Sequence, residues 1–130
     1  MSIKDAIYSR SQTFAGLSAL IGTRLYDVQA PQNTAMPYVT YQLVSAERHH
    51  VMTRDTLGRP RVQFDSFGAT REVAENVNAQ VIACFNRWKG TVASVVIKDT
   101  VIESDGVDQQ SDDISLIPRV TSEAFITYEL

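Results

Sequence analysis

The chain has one cysteine, two histidines and no long apolar run, and each shortage closes off a class of function. A single thiol, Cys84, can neither form an internal disulfide nor supply a cysteine-based metal cluster. His49 and His50 are neighbours, whose side chains rarely converge on one ion, and no further ligands stand at a metal-site spacing. No stretch approaches the roughly 18 uninterrupted apolar residues of a membrane-spanning helix. The opening Met1-Ser2-Ile3-Lys4-Asp5 lacks the apolar run of a signal peptide, so folding in the cytoplasm and no membrane partner are expected. Positive charge is also short. The formal net charge is -3 and the pI about 5.3, whereas gripping nucleic acid calls for a dominant basic surface. Glycine-rich phosphate loops, serine elbows, repeats, linkers and low-complexity segments are all missing.

What remains is an ordinary globular composition, 44% hydrophobic and 21% charged over 130 residues, enough for one domain spanning 1–130. Ser2 can cap a first helix through Ile3, Ala6 and Ile7. Residues 14–21 read as a second helix that Gly22 ends. Residues 24–28 suit a short strand. Pro37 suits the first position of the next, where Val39, Tyr41 and Leu43 share one face. Residues 61–67 alternate Val62, Phe64 and Ser66 against Arg61, Gln63, Asp65 and Phe67. The intervening 47–59, too polar and too long for a tight turn, read as the projecting, mobile tip of a long hairpin.

Thr70 is a good N-cap for a helix over about 70–88, stopped by Gly90. At roughly 100° per residue, Val73, Ala74, Val77, Val81, Cys84, Phe85 and Trp88 share an arc of about 120°, so this helix lies on a sheet. Residues 91–98 suit a strand and 99–113 a polar loop. A last strand over 115–129 carries Val120, Ser122, Ala124, Ile126 and Tyr128 on one face, with Pro118 at a bend or unpaired edge. The expected class is α+β: an antiparallel sheet with the long helix and N-terminal helices packed against it.

Candidate chemistry fares poorly. Aligning Gly106 with the obligatory glycine of a calcium loop puts Val101 where an aspartate must stand and Asp112 where a glutamate belongs, so the match fails. Glu72 and Glu75 lie in the first turn of the long helix, where its dipole favours negative charge without any catalytic role. Cys84 falls inside the apolar stripe and reads as a small core residue, and Trp88 as a core anchor. No cofactor, metal or catalytic residue is assigned, and an enzyme reading finds no support.

Charge segregation is more informative. Arg48, Arg54, Arg59 and Arg61 stand with His49 and His50 against one acid, Asp55, whereas 99–113 holds Asp99, Glu103, Asp105, Asp108, Asp112 and Asp113 with no base. In a closed ring the basic segment of one subunit could meet the acidic segment of the next, as a heterologous interface requires. Arg48, His49, His50, Arg54, Arg59, Asp105, Asp108, Asp112 and Asp113 are the interface candidates. The plainer alternative is that both segments are merely solvated.

Several short motifs occur in a fixed order. Gly22-Thr23-Arg24 with Tyr26 precedes Pro31 and the strand Pro37-Tyr38-Val39-Thr40-Tyr41-Gln42. Then come Val62-Gln63-Phe64-Asp65-Ser66-Phe67-Gly68, the helix from Thr70 and a closing Phe125-Ile126-Thr127-Tyr128. In that order the chain resembles the tail completion, or tail terminator, proteins of long-tailed phages. The resemblance implies a virion protein at the head–tail interface, assembled in the host cytoplasm. It implies a hexameric ring, monomeric when alone, that caps the tail tube, stops its polymerisation and faces the head connector. Tail tube protein and connector are the implied partners, and DNA passes through the lumen without specific binding. A head-side joining subunit and a small non-viral adaptor domain are the competing functions.

Overall fold

The computed structural model describes residues 3–50, 55–110 and 118–129. In chain order the elements are α1 (Ile3–Thr13), α2 (Ala15–Ile21), β1 (Leu25–Asp27), β2 (Tyr38–His50), β3 (Asp55–Phe67), α3 (Arg71–Phe85), β4 (Gly90–Val92), β5 (Val95–Gln110) and β6 (Pro118–Glu129). The strands form one sheet in the order β1-β2-β3-β6-β5-β4. The α+β class is as the sequence indicates, with one difference: β1 runs parallel to β2, so the sheet is mixed. Three backbone residues, Val28, Asn33 and Gly22, take positive φ around β1. The chain thus turns over before and after that strand and reaches β2 through a loop instead of a hairpin.

The three helices share one face of the sheet with the core. Val39, Val62, Phe64, Ala124 and Ile126 of the strands are fully buried with Ile7, Leu17, Ile21, Val77, Val81, Cys84 and Phe85 of the helices. Alternation along β2, β3 and β6 puts these side chains on one face, as their sequence pattern demands. Aromatic rings tie the layers together. Phe64 of β3 stacks on Phe85 of α3 with centroids 4.8 Å apart, Tyr41 flanks Phe64 at 6.4 Å, and Trp88 meets Phe85 edge-on at 5.6 Å.

Helix α3 begins as its sequence signals. The Thr70 hydroxyl accepts the Val73 N–H at 3.2 Å, satisfying one of the orphan donors of the first turn. Just before it, Gly68 permits a close approach, since a Cβ there would lie 2.6 Å from the Ala74 nitrogen. The helix ends earlier than expected, at Phe85. Asn86 is extended and Arg87 has a φ of 59°, while the Arg87 N–H donates to the Thr100 carbonyl at 2.8 Å. Trp88 therefore packs from a turn, and Gly90 opens β4 instead of stopping the helix. The α1 helix docks on α3 through Arg10, whose Nε donates to the Cys84 carbonyl at 2.9 Å.

Other boundaries move for a shared reason. Residues 47–50 and 55–59 of the expected loop tip continue the ladder of β2 and β3 as far as the His50–Asp55 pair, and 51–54 lie outside the described residues. The expected acidic loop of 99–113 is mostly strand, with β5 paired to β6 until Gln110 meets Pro118. Backbone hydrogen bonding carries both ladders on, since strand pairing needs no apolar side chain at each position. The strand expected at 91–98 is a hairpin, β4 and β5, turned by Ala93 and Ser94 with φ of 52° and 66°. Pro118 opens β6, paired with Gln110 of β5, and residues 115–117, like the Ser2 cap, lie outside the described residues. Register shifts interrupt the ladders at Leu43/Ser45, His49/His50, Ile97/Asp99, Ile102/Ser104 and Asp105/Val107, and none is recorded between β3 and β6.

Replacing Phe64 by Ala removes the ring on which Phe85 stacks and should cost about 3–5 kcal/mol. Thr70→Ala, which loses only the cap, should cost about 1 kcal/mol. Urea unfolding of the two variants checks the ranking; equal losses would mean that the stack is not the anchor of α3.

Candidate assembly surface

The interface candidates distribute along the sheet. Arg48, His49 and His50 sit at the end of β2, opposite Gly58, Leu57 and Asp55 of β3. Asp105 and Asp108 lie on β5, opposite Ser122 and Val120 of β6. Arg54, Asp112 and Asp113 fall outside the described residues. Within one subunit the sheet keeps the basic and acidic groups apart. The row through Arg48 runs by Gly58 and Tyr128 to Ile97, whereas the row through Asp105 runs by Ser122 and Phe64 to Tyr41. The two groups thus occupy opposite edges and opposite ends.

Arg59 belongs to a cluster on the face away from the helices. Its guanidinium lies 4.0 Å from the centroid of the Phe125 ring, and that of Arg61 lies 5.9 Å from the same ring. Arg61 also pairs with Glu123, its diagonal neighbour across the β3–β6 ladder. An aromatic held between two cations is attracted through its ring quadrupole, and the arrangement leaves both arginines partly wet. The sequence reading did not single out Phe125. Its signal was available: along β6 it is out of phase with Val120, Ser122, Ala124 and Ile126, so it must face away from the core.

Further along the same face, Asp65 is 9% exposed and accepts from the Thr121 hydroxyl at 2.6 Å and from the Gln63 amide at 3.2 Å. A carboxylate so placed needs these donors, because burial without them would be costly. Asp65 lines a cavity of about 450 Å³ with Tyr38, Thr40, Phe67 and Arg119, roofed by the loop that follows β1. Tyr38 stacks on Phe67 at 4.7 Å and meets Tyr26 edge-on at 6.5 Å. Arg24 holds the approach to β2 by donating from Nε to the Pro37 carbonyl at 2.9 Å.

Among the described residues, no group of three or more His, Cys, Asp and Glu is placed to hold a metal ion. Burial pushes the Cys84 thiol up to about 12 from 9.0, which leaves it without nucleophilic thiolate near neutrality. Tyr41 is likewise pushed up to about 12, first by burial and then by the negative charges of Asp27 and Asp5. Glu72 and Glu75 are exposed at the start of α3, and Glu75 pairs with Arg71 at 3.2 Å. Among the described residues, no helix is long and apolar enough to cross a membrane.

Comparison with known proteins adds the following. The family described as Tail completion protein gp17 matches residues 5–123. A chain from the virion of a native gene transfer agent (GTA) particle is similar in structure, with a TM-score of 0.76 and 17% identity. That match covers 96% of this chain and 92% of the other. A second solved chain, whose description names no function, has a TM-score of 0.58 and 14% identity over 98% of this chain and 93% of its own. No curated protein is matched.

Cys84 and Tyr41 hold their protons more tightly folded than unfolded, so the stability they contribute should be fully present below pH 9 and be lost as pH rises from there towards 12. Urea midpoints across that range check the slope, which Cys84→Ala and Tyr41→Phe should each reduce. A midpoint that rises with alkali would show the opposite linkage.

Proposed function

The chain belongs to the tail completion protein gp17 family, and on that premise we propose that it closes the phage tail tube as a ring at the head–tail joint. As a family member it is a structural phage tail protein. In the proposed role it docks on the last ring of tail tube protein, stops further polymerisation and presents its other side to the head connector. The single observation that carries the reading is the family match over 5–123, which runs from within α1 to the middle of β6.

The surface is suited to such a role. Cations, an outward aromatic and carboxylates share one helix-free sheet face, a mixture that favours complementary protein contact over one-signed attraction. Arg48, His49, His50, Arg54 and Arg59 on one side, and Asp105, Asp108, Asp112 and Asp113 on the other, are the proposed contact groups. With a net charge of -3, the subunit lets DNA pass through the lumen without gripping it. All of 1–130 acts as one structural unit, monomeric until it meets a tail, with its work done in the virion after assembly in the host cytoplasm.

A stop codon in the gene, with the lysate viewed by electron microscopy, tests the role. Filled heads beside unattached tails of irregular length are expected. Tails of regular length beside unjoined heads would assign the subunit to the head side, and normal infectious particles would remove it from the joint altogether. Deleting residues 48–55 should spare the core, whose buried β2 and β3 residues are Val39, Tyr41, Val62 and Phe64. The shortened protein should keep its unfolding midpoint and fail to cap tails; normal capping would exclude the hairpin end from the contact.

A further inference from the structure

The two edges of the sheet are incomplete in complementary ways. β1 lies beside β2 only opposite Val39, Thr40 and Tyr41, although β2 continues to His50. β4 lies beside β5 only opposite Val95, Val96 and Ile97, although β5 continues to Gln110. Among the described residues, no strand flanks the outer edge of β2 over 42–50 or that of β5 over 98–110. At Thr100 the carbonyl is taken by the Arg87 N–H and the N–H by the Asp99 side chain; beyond it to Gln110, and over 42–50, each strip offers a row of backbone N–H and C=O groups, which natural sheets seldom leave open at such length.

We infer that these strips pair with each other between neighbouring subunits, so that β5 of one copy adds antiparallel to β2 of the next. Three properties of the sheet converge on this seam. The first is direction: β2, β3, β6 and β5 alternate, so β5 already runs antiparallel to β2, and a head-to-tail neighbour presents it in that sense.

Steric fit is the second. β1 blocks the Tyr38 end of the β2 edge, and β4 blocks the end of β5 that shares a row with Arg48. Level docking would wedge both short strands into the seam. A slide of about seven residues, roughly 24 Å at ~3.4 Å per residue, clears both. Such a stagger is the shear that a sheet needs in order to close on itself.

The third is charge. The same slide sets Arg48 opposite Asp105, and brings 42–50 against 103–110. The first strip holds Arg48, His49 and His50 with one acid, Glu47; the second holds Glu103, Asp105 and Asp108 with no base. Complementary charge fixes the register that backbone bonds alone would leave free to slip. The occupant of each edge is therefore a second copy of this chain. This seam rests on the ring reading above and specifies its edges, direction and register.

Cysteine pairing in assembled particles tests it, with Cys84 buried and out of reach. After mild oxidation, Arg48→Cys with Asp105→Cys should give a ladder of linked subunits from dimer upward on a non-reducing gel. Either single variant should stay monomeric. Charge exchange gives a second readout: Arg48→Glu or Asp105→Arg should lower infectious titre by about tenfold or more, and the double exchange should restore it. Unfolding midpoints of the purified variants check that each is folded. Capped tails that contain the subunit but give no ladder, with Glu103→Cys or Asp108→Cys substituted for the Asp105 partner as well, would overturn the seam and leave the ring standing. Dimers from Arg48→Cys alone, or a link to another particle protein, would overturn it too. Absence of the subunit from particles would defeat the ring reading instead.

Discussion

The stack of Phe64 on Phe85 is the contact on which the remaining architecture depends. It fixes α3 across the central strands, with Tyr41 on one flank and Trp88 on the other. The other helices pack around it, α1 on α3 through Arg10 and Cys84 and on β1 through Lys4 and Asp27, and α2 through Leu17 and Ile21 in the same core. Large rings supply much of the apolar area in a chain of this size, and their stacking adds geometric preference to burial. A small core can therefore hold a sheet whose strands are far longer than the helices that cover it.

That disproportion divides the sheet into two regimes. Under the helices the strands alternate apolar and polar residues, and register is enforced because a slip would expose the core. Beyond them, in β2, β3 and β5, the ladders continue as backbone pairing to the His50–Asp55 and Gln110–Pro118 pairs. Stability does not require such extensions. Ordering them costs conformational entropy, and they carry the residues of the proposed contact. The charge pattern agrees, since the cationic and anionic groups concentrate at these extensions and avoid the covered centre.

Legibility from sequence followed the same division. Helix α3 was readable because Thr70, the apolar stripe and the polar opposite side all agreed, and the faces of β2, β3 and β6 were readable from strict alternation. The end of α3 was not, because Asn86 and Arg87 stop it without glycine or proline. The Ala93–Ser94 turn was hidden for a similar reason, having neither Asn nor Gly to announce its left-handed residues. Polarity disguised the far parts of β2 and β5, since solvated strand and loop use the same residues. The parallel pairing of β1 is a tertiary outcome that no local pattern encodes. As for the surface, the segregated charges were visible, whereas the Arg59–Phe125–Arg61 cluster needed the register of β3 with β6.

The register shifts have a consequence for how such a subunit can change over time. All five fall in the outer ladders, between β2 and β3 or between β5 and β6, and none in the central pair. A bulge absorbs an extra residue and bends its strand, so gaining or losing one residue at these points re-phases a flank while the plate beneath α3 stays as it is. The angle at which the flanks leave that plate is set there. Flank and core are thereby uncoupled: single-codon insertions at these points can re-aim the outer strands without repacking a buried side chain.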